Sequence, residues 1–410
     1  MSAPVAYLTG EYPRATDTFI QREVAALREL GLDIRTCSIR GTDASHHVGP
    51  EQRAEHAATF QVQSRAKRPA ALIGDHAALL RRPRRWLSAA RLALATRPPG
   101  VKATLWQLFY FLQAGVLARH LQRIGARHLH NHFGNSSCSV AMLAAEMAGL
   151  PYSYTMHGPM EFFAPEHWRI DEKIARAKFV ACISHFARAQ GMIFADQIHW
   201  DRMHIVHCGV VPSLYDGVAS RAVQGAEIVF VGRLAAIKGV ALLIEAVGQL
   251  ASDHPDLHLT LVGEGPERTA LEAQARDRGL SDRVTFTGYL GQAEVAERLA
   301  TADIFALPSF AEGVPVVLME AMAARVPVIA PRVAGVPELV EDGVSGFCVP
   351  PGDLPTLKDR LDTLLRDPDL RASFGAAGRA HVEAEFDVAR EAEKLAGLFW
   401  VPKDTGESYQ

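Results

Sequence analysis

The sequence predicts an α/β protein built from two doubly wound parallel-sheet domains that face a central cleft. At 410 residues the chain exceeds the size to which a single hydrophobic core usually grows. Short β-branched runs alternate with segments of helical apolar periodicity, and this alternation is typical of parallel sheets. The alternation lapses once, in a stretch containing Pro, Gly and Ser around 211–225, where we expect the domain boundary.

The first domain is expected over residues 1–215. It begins with a strand at 5–9, followed by a helix with apolar residues at helical spacing up to Gly31. An insert at about 65–120 is basic and rich in Ala, Leu and Arg, and we expect it to be helical. After this insert the alternation resumes with four further strands: HLHNHF, YSYTM, FVACI and MHIVH.

The second domain is expected over residues 222–385, followed by a helical tail at 386–410. Its strands are EIVFVG, LHLTLVG, RVTFTG, DIFALP and VPVIA, separated by helical segments. Ligands of open α/β sheets bind at the carboxyl ends of the strands. We therefore expect the functional side chains in the loops that follow these strands.

Charge is distributed unevenly along the chain. The net charge of −3 gives no general attraction to nucleic acid, which we do not expect as a partner. The segment 65–102, by contrast, holds ten Lys and Arg residues against one acid, Asp75. Two interpretations remain open: the segment docks on an anionic membrane surface, or it is a solvated and partly paired helical face.

Cysteine usage and the pattern of apolar runs favour a cytoplasmic protein, peripheral at the inner face of the membrane if the basic insert docks there. Five cysteines are scattered without a CxxC pair, which suits reduced thiols better than a disulfide framework. The apolar run at residues 1–10 is too short for a signal peptide. The longest apolar stretch, TLWQLFYFLQAGVLA, is too short to span a bilayer, so we expect a buried or interfacial helix.

Two cations follow the first strand of the second domain. The motif GRLAAIKG places Arg233 just past the strand and Lys238 near the start of the next helix. A diphosphate leaving group gains negative charge as its bond to a sugar breaks. Cations and a helix N-terminus beside it therefore stabilise the transition state. Taken alone, an Arg and a Lys at this spacing are usually solvated surface charges.

Two carboxylates lie eight positions apart in AEGVPVVLMEAMAARVPVIA. Glu312 precedes a turn, Pro315 suits a first helical turn, and Glu320 is expected about two helical turns deeper than Glu312. Carboxylates accept hydrogen bonds from vicinal hydroxyls, so this pair fits a sugar ring and a ribose. The alternative is structural: a solvated loop acid and a helix carboxylate that caps or pairs.

The motifs GRLAAIKG, LVGEGPE and FTGYL, with the long segment SFAEGVPVVLMEAMAARVPVIAPRVAGVPELVEDGVSGFCVPPGD, resemble the donor domain of family-four (group 1) retaining glycosyltransferases. The resemblance implies the GT-B fold, with two Rossmann-like domains. It also implies that Arg233 and Lys238 bind the donor diphosphate, and that Glu312 and Glu320 contact its sugar and ribose. Further donor-binding positions, implied at the base-binding edge and in the backbone near sugar and phosphate, are Gly232, Tyr289, Leu290, Gly313, Val314, Val316 and Val317.

In the first half, TDTFIQREVAALRELG, HNHFG, YTMHGPMEFF, ISHFARAQ and IVHCGVVPSLY resemble the acceptor domain of the exopolysaccharide branch of this family, the colanic-acid and amylovoran type. His157, after the strand YSYTM, matches the family's loop histidine at the reacting sugar. An imidazole there is able to hydrogen-bond a hydroxyl or to orient the acceptor. The resemblance thus implies four catalytic residues: His157, Arg233, Lys238 and Glu312.

A metal site is the alternative use of a histidine trio in the same half. His128, His130 and His132 alternate along a strand, so their side chains should project to one face, where they could hold zinc. A catalytic ion needs a further carboxylate or histidine, and the sequence nominates none. The HxHFG pattern of the family offers a metal-free explanation. We therefore expect no metal, and no cofactor other than the nucleotide-sugar.

These observations together predict a retaining glycosyltransferase. We expect it to move a hexose-type sugar from a UDP- or GDP-sugar to a glycan or lipid-linked glycan in exopolysaccharide or cell-surface polysaccharide biosynthesis. By resemblance, the acceptor hydroxyl attacks on the leaving-group face, and neither a protein nucleophile nor a divalent ion is needed. Two alternatives remain: a nucleotide-sugar epimerase of the same fold, and a noncatalytic glycan-binding subunit.

Overall fold

The computed structural model describes residues 3–14, 17–43, 47, 49–216 and 226–400. The chain divides into two compact units. The first contains Met1–Val206 and Ala389–Gln410, and the second contains His207–Val388. Each unit has its own parallel sheet, as the β-α alternation predicts.

The first unit contains a seven-stranded sheet. Its strands are β1 Val5–Glu11, β2 Ile34–Arg40, β3 Phe60–Gln61, β4 His128–His132, β5 Tyr152–Met156, β6 Val180–Cys182 and β7 Met203–Ile205. They lie in the order β3-β2-β1-β4-β5-β6-β7, and all neighbouring strands are parallel. The order reverses between β1 and β4, so the ligand-binding switch point of this sheet lies there.

Eleven helices of the described chain lie between β1 and β7 in sequence. They are α1 Thr18–Glu29, α2 Pro50–Ala58, α3 Val62–Ala66, α4 Pro69–Leu79, α5 Pro83–Ala95, α6 Val101–Ile124, α7 Ser136–Ala148, α8 Pro159–Phe162, α9 Pro165–Trp168, α10 Ile170–Arg176 and α11 His185–Phe194. The basic insert is helical, as expected, and corresponds to α3–α6. None of the described helices is long and apolar enough to cross a bilayer.

The helix at the switch point has clear local signals at both ends. Oδ1 of Asn135 accepts a hydrogen bond from the amide of Ser137 and so caps the N-terminus of α7. Gly149, with φ of 72°, ends the helix in the left-handed conformation that favours glycine. These signals fix the chain just after the end of β4.

The second unit contains a six-stranded sheet. Its strands are β8 Ala226–Val231, β9 Leu257–Val262, β10 Val284–Gly288, β11 Ile304–Ala306, β12 Val328–Pro331 and β13 Gly346–Val349. They lie in the order β10-β9-β8-β11-β12-β13, and neighbouring strands are parallel. Its switch point lies between β8 and β11. The remaining described helices are α12 Val240–Leu250, α13 Arg268–Asp277, α14 Gln292–Ala300, α15 Val316–Ala323, α16 Val336–Leu339, α17 Leu354–Arg366, α18 Pro368–Glu385 and α19 Val388–Trp400.

The division between the units falls earlier than the predicted boundary at 215. Residues 207–215 belong to the second unit. Val210 pairs with Asp387 in a parallel bridge, and its amide donates to the carbonyl oxygen of Phe386 at 2.9 Å. These backbone bonds hold the segment against the end of the second unit.

The predicted helical tail at 386–410 contains α19, which belongs to the first unit from Ala389 onward. Nζ of Lys178 donates to the carbonyl oxygen of Phe399 at 2.7 Å. The ring of Phe399 lies 5.1 Å from that of His128. Residues 401–410 of the predicted tail lie outside the described residues.

Candidate active site

Lys238 and Glu312 form an ion pair at the switch point of the second sheet. Lys238 ends a 3-10 turn, Ala236–Lys238, after β8, and Glu312 lies in the loop after β11. Nζ of Lys238 lies 2.6 Å from Oε1 of Glu312, and the side chains are 23% and 9% exposed. Two residues predicted from separate motifs, 74 positions apart, therefore meet at one point.

Gly239 permits the close approach of these two loops. Its φ is +65°, and a Cβ there would lie 2.2 Å from the carbonyl oxygen of Pro308. The amide of Phe310 donates to the carbonyl oxygen of Ile237 at 2.8 Å, which ties the loops together. A residue without a side chain is therefore required immediately after Lys238.

Replacing Gly239 with alanine is expected to lower the free energy of unfolding by about 2–4 kcal/mol. The left-handed backbone and the contact with Pro308 both oppose a Cβ at this position. Gly279→Ala is the matched control in the same unit, because its φ is +68° but nothing lies within 4 Å of the added Cβ. In urea denaturation the control should lose only about 1–2 kcal/mol. Equal losses in the two variants would show that the contact between the added Cβ and Pro308 does not lower the free energy of unfolding.

Arg233 follows β8 closely and is exposed. Its backbone is held by the next loop of the sheet. The amide of Gly232 donates to the carbonyl oxygen of Val262, and that of Leu234 to the carbonyl oxygen of Glu264, both at 2.9 Å. Within the described part of the chain, the guanidinium of Arg233 makes no ion pair. It is therefore a cation held on a fixed backbone and open to an anionic ligand.

α15 begins at Val316, directly after its N-cap residue Pro315. Glu320 is buried and lies just over one turn inside this helix. The expectation that it lies two helical turns deeper than Glu312 is wrong, because the segment before Val316 is not helical. The first turn of α15 contains no acid and no side-chain cap, so no side chain of that turn compensates its positive end. The other predicted positions on this side occupy the loop and that first turn: Gly313, Val314, Val316 and Val317.

Tyr289 and Leu290 follow β10, at the edge of the second sheet. β10 lies two strands from β8. The spacing of strands therefore separates these residues from the switch point by about 10 Å. Tyr289 is 45% exposed, and its partial burial raises the pKa of the phenol. The structure thus brings Lys238 and Glu312 together and leaves Tyr289 apart from them.

His157 lies in the first unit, directly after β5. Its Nε2 lies 2.8 Å from Nδ1 of His132, at the end of β4. The rings of Phe133 and Phe19 pack on its imidazole, with centroid distances of 4.4 and 5.1 Å. Desolvation, with a further contribution from His132, lowers the pKa of His157 well below its usual range. The imidazole is therefore neutral at physiological pH.

The predicted histidine trio on β4 is engaged in hydrogen bonds. Nε2 of His128 and Nδ1 of His130 contact the hydroxyl of Ser153, at 2.6 and 2.8 Å. Nε2 of His130 contacts the hydroxyl of Thr155 at 2.9 Å. Both hydroxyls come from the neighbouring strand β5, so these two histidines are paired within the sheet.

Glu23, on α1, completes this cluster and was missed from the sequence. Its Oε1 accepts hydrogen bonds from the hydroxyl of Tyr7 and, at 3.1 Å, from Nε2 of His132. The atoms of Glu23, His130 and His132 that could ligate a metal lie within 4.8 Å of one another. The expectation that no carboxylate accompanies the histidines is therefore wrong. The nitrogens of His130 already face two hydroxyls, which favours a hydrogen-bond network over an ion. The available signal was a charged residue on the apolar face of the amphipathic helix TFIQREVAALRE.

Glu161 ties the loop after β4 to the loop after β5. Its buried carboxylate accepts hydrogen bonds from the amides of Gly134, His157 and Gly158. Burial raises the pKa of Glu161 to about 7, against the opposing effects of these amides and Lys173. Nζ of Lys173, itself buried, donates to the carbonyl oxygen of Gly134 at 2.7 Å. The backbone that carries His157 is therefore fixed by a buried acid.

Glu161 is expected to make stability fall with rising pH. Its folded pKa of about 7 lies above the ordinary value of 4.5, so its contribution is full below about pH 4.5 and is lost as pH rises through about 7. Glu161→Gln should abolish a fall in the free energy of unfolding that is on the order of 3 kcal/mol across this pH window. Lys173 titrates above it, because burial lowers its pKa only to about 8. Denaturant midpoints measured across the window test this, with the exposed Glu166→Gln as control. An unchanged slope in Glu161→Gln would contradict the expectation.

Comparisons with known proteins agree with this architecture. Residues 218–381, within the second unit, match the family model described as Glycosyl transferases group 1. The chain is 26% identical to WcaL of Salmonella typhimurium, named as a colanic acid biosynthesis glycosyltransferase, over 96% of this chain and 98% of WcaL. It is 34% identical to the amylovoran biosynthesis glycosyltransferase AmsK of Erwinia amylovora, over 46% of this chain and 48% of AmsK. The chain spans about half the length of the first curated relatives that it matches.

A solved structure shares the whole fold. The crystal structure of Anabaena HepE in complex with UDP and glucose matches 97% of this chain and 99% of HepE, with a TM-score of 0.72 at 20% identity. The fold is therefore GT-B, with two Rossmann-like domains, as predicted. The predicted resemblance to the colanic-acid and amylovoran glycosyltransferases is confirmed.

Proposed function

We propose that the protein is a retaining enzyme of polysaccharide biosynthesis that moves a hexose-type sugar from a UDP- or GDP-sugar to a hydroxyl of a lipid-linked glycan. The observation that carries this proposal is the Lys238–Glu312 pair at the switch point of the second sheet. A nucleotide-sugar presents phosphate oxygens beside sugar hydroxyls. The pair offers a cation and a hydroxyl acceptor 2.6 Å apart, which suits both groups.

Positive charge for the leaving diphosphate comes from Arg233, Lys238 and the N-terminus of α15. These groups stabilise negative charge as it develops, and they do so without a divalent ion. Glu312 binds a hydroxyl of the transferred sugar, and Glu320 binds the ribose. Tyr289 and Leu290, about 10 Å along the sheet edge, contact the base. HepE, which shares the fold, was crystallised with UDP and glucose, and this supports a nucleotide-sugar donor.

The reaction balances without a protein nucleophile. The acceptor hydroxyl attacks the anomeric carbon on the face from which the diphosphate leaves, and its proton passes to a phosphate oxygen of the donor. One glycosidic bond forms as the bond to the diphosphate breaks, and the configuration is retained because attack and departure take place on the same face of the sugar. His157, neutral and held among aromatic rings, hydrogen-bonds a hydroxyl of the reacting sugars.

A donor screen tests the proposal. Purified protein is incubated separately with UDP-, GDP- and ADP-sugars, with and without lipid extract, and release of the nucleoside diphosphate is measured. Release that requires the extract supports the transferase and identifies the donor. Isomerised sugar formed without acceptor would support an epimerase instead. Absence of binding and turnover with every donor would favour a noncatalytic subunit.

A lipid-linked acceptor accords with the surface of the basic insert, which we assign to the inner face of the cytoplasmic membrane. The N-terminal half of α6 carries four apolar side chains that are each more than half exposed: Leu105, Trp106, Leu108 and Phe109. Exposed cations accompany them in the insert, among them Arg91, Arg97 and Lys102. Arg65 does not contribute, because the buried Asp75 holds it at 2.6 Å. Each near-surface cation adds about 1 kcal/mol of attraction to anionic lipid.

Liposome flotation tests this surface. The protein should float with vesicles that contain phosphatidylglycerol and not with pure phosphatidylcholine. Trp106→Ser with Phe109→Ser should abolish flotation, because the apolar anchors are removed. Ile198→Ser, which removes an exposed apolar side chain elsewhere in the first unit, is the control. Flotation that is independent of anionic lipid would contradict the assignment.

A further inference from the structure

Four polar side chains of the first unit form a continuous hydrogen-bonded chain that ends at His157. The hydroxyl of Tyr7, on β1, donates to Oε1 of Glu23, on α1. The same oxygen lies 3.1 Å from Nε2 of His132, and Nδ1 of His132 lies 2.8 Å from Nε2 of His157. Tyr7, Glu23 and His132 are buried, so these three members of the hydrogen-bonded series lie inside the unit. The fourth member, His157, is partly exposed.

The chemistry of the chain sets the direction of each hydrogen bond. A carboxylate only accepts, so Nε2 of His132 carries the proton that it donates to Glu23. When His132 is neutral, its other nitrogen, Nδ1, is an acceptor, and Nε2 of His157 then carries the hydrogen between them. Nδ1 of His157 is left as the unprotonated nitrogen. Glu23 thus fixes the tautomer of His157 through His132, without touching it.

The surrounding residues hold this arrangement in place. Phe19 and Phe133 pack against the imidazole of His157 and restrict its rotation. The ring of His130 lies edge-on to that of His132, with centroids 5.3 Å apart, while its own nitrogens are engaged by Ser153 and Thr155. The cluster therefore offers His132 two partners, Glu23 and His157, on opposite sides of its ring.

We propose that Glu23 and His132 are positioning residues of the transfer reaction, which keep His157 in the Nε2–H tautomer so that its Nδ1 accepts a hydrogen bond from a sugar hydroxyl. This inference rests on the proposed function for the role of His157, and on the geometry alone for its tautomer. An orienting carboxylate behind a histidine costs about 10–100-fold in function when it is removed. Glu23 is separated from the sugar by two histidines, His132 and His157.

The tautomer is measured directly by NMR on the full chain labelled with ¹⁵N-histidine, with the His157 signals assigned from His157→Gln. In the native protein, Nε2 of His157 should have the shift of a protonated nitrogen and Nδ1 that of an unprotonated one. Glu23→Met removes the carboxylate at similar side-chain length, and His157 should then populate both tautomers instead of the Nε2–H tautomer alone. Glu23→Gln keeps an acceptor oxygen and should restore the native tautomer. A native Nδ1–H tautomer, or unchanged signals in Glu23→Met, would overturn the proposal.

Activity gives a second readout. Glu23→Met should lower kcat by about 10–100-fold with little change in the donor KM, and Glu23→Gln should recover most of the loss. His128→Gln is the matched control, because His128 is a buried histidine on the same strand, bonded to Ser153 and outside the chain. It should leave the His157 signals in place. Because the NMR readout needs no substrate, a failure of the proposed function is distinguishable from a failure of this inference. A parallel loss of activity in His128→Gln and Glu23→Met would indicate a structural role only.

Discussion

Replacing Lys238 with alanine should lower the rate of sugar transfer by about 10²–10³-fold, the cost of losing one preorganised electrostatic contact to the transition state. The substitution removes a cation from the switch point and leaves the carboxylate of Glu312 without its partner at 2.6 Å. Negative charge near the diphosphate is then unbalanced both before and during bond cleavage. The rate of nucleoside diphosphate release at saturating donor measures the effect.

Lys358→Ala is the matched control for this variant. Lys358 lies on α17 of the same unit and outside the loops that follow the strands. Its loss should leave turnover within about twofold, since surface substitutions away from such sites have small effects. Comparable losses in the two variants would contradict a specific role for Lys238. Full activity in Lys238→Ala would show that Lys238 does not stabilise the leaving diphosphate.

His157→Ala should lower kcat by about 10²-fold, the lower end of what a positioned acid-base or hydrogen-bonding side chain contributes. The imidazole is held by His132 and by two aromatic rings, so it is already oriented for a hydroxyl. Steady-state kinetics with separate variation of donor and acceptor show which substrate is affected.

His167→Ala provides the comparison for His157→Ala. This exposed histidine lies ten positions further along the same connection between β5 and β6. It should retain activity within about twofold, as an exposed substitution usually does. If His157→Ala also retains native kcat and KM for both substrates, the histidine has no part in the reaction.

The architecture was accessible from the sequence because each strand of a parallel sheet is buried and so reads as a short apolar run. The loop positions of Arg233, Lys238 and Glu312 follow from the same rule, since they come directly after such runs. Their pairing does not follow, because the approach of Lys238 to Glu312 depends on strand order rather than on spacing along the chain. The split unit was missed for a similar reason. Helix α19 is an ordinary amphipathic segment whose partner in space, near Lys178, carries no local signal.

Glu23 is the clearest example of a contact that could not be predicted from the sequence. It lies 109 positions from His132, and only the pairing of β1 with β4 brings the two together. A charged residue on the apolar face of an amphipathic helix is visible in the sequence, but its partner is not. Glu161 is similar, because its pKa depends on burial that no pattern in HGPMEFF records. Sequence patterns thus located the ends of strands, while the contacts between neighbouring strand ends required the fold.

The most direct test of the central claim is the fate of the sugar itself. The donor found in the screen is prepared with a ¹³C-labelled sugar, the reaction is run with lipid extract, and the labelled product is isolated and examined by NMR. We expect labelled sugar linked to the acceptor with the anomeric configuration of the donor, and an equal amount of nucleoside diphosphate. Labelled sugar that stays on the nucleotide in isomerised form, or that reaches the acceptor with the opposite configuration, would contradict it.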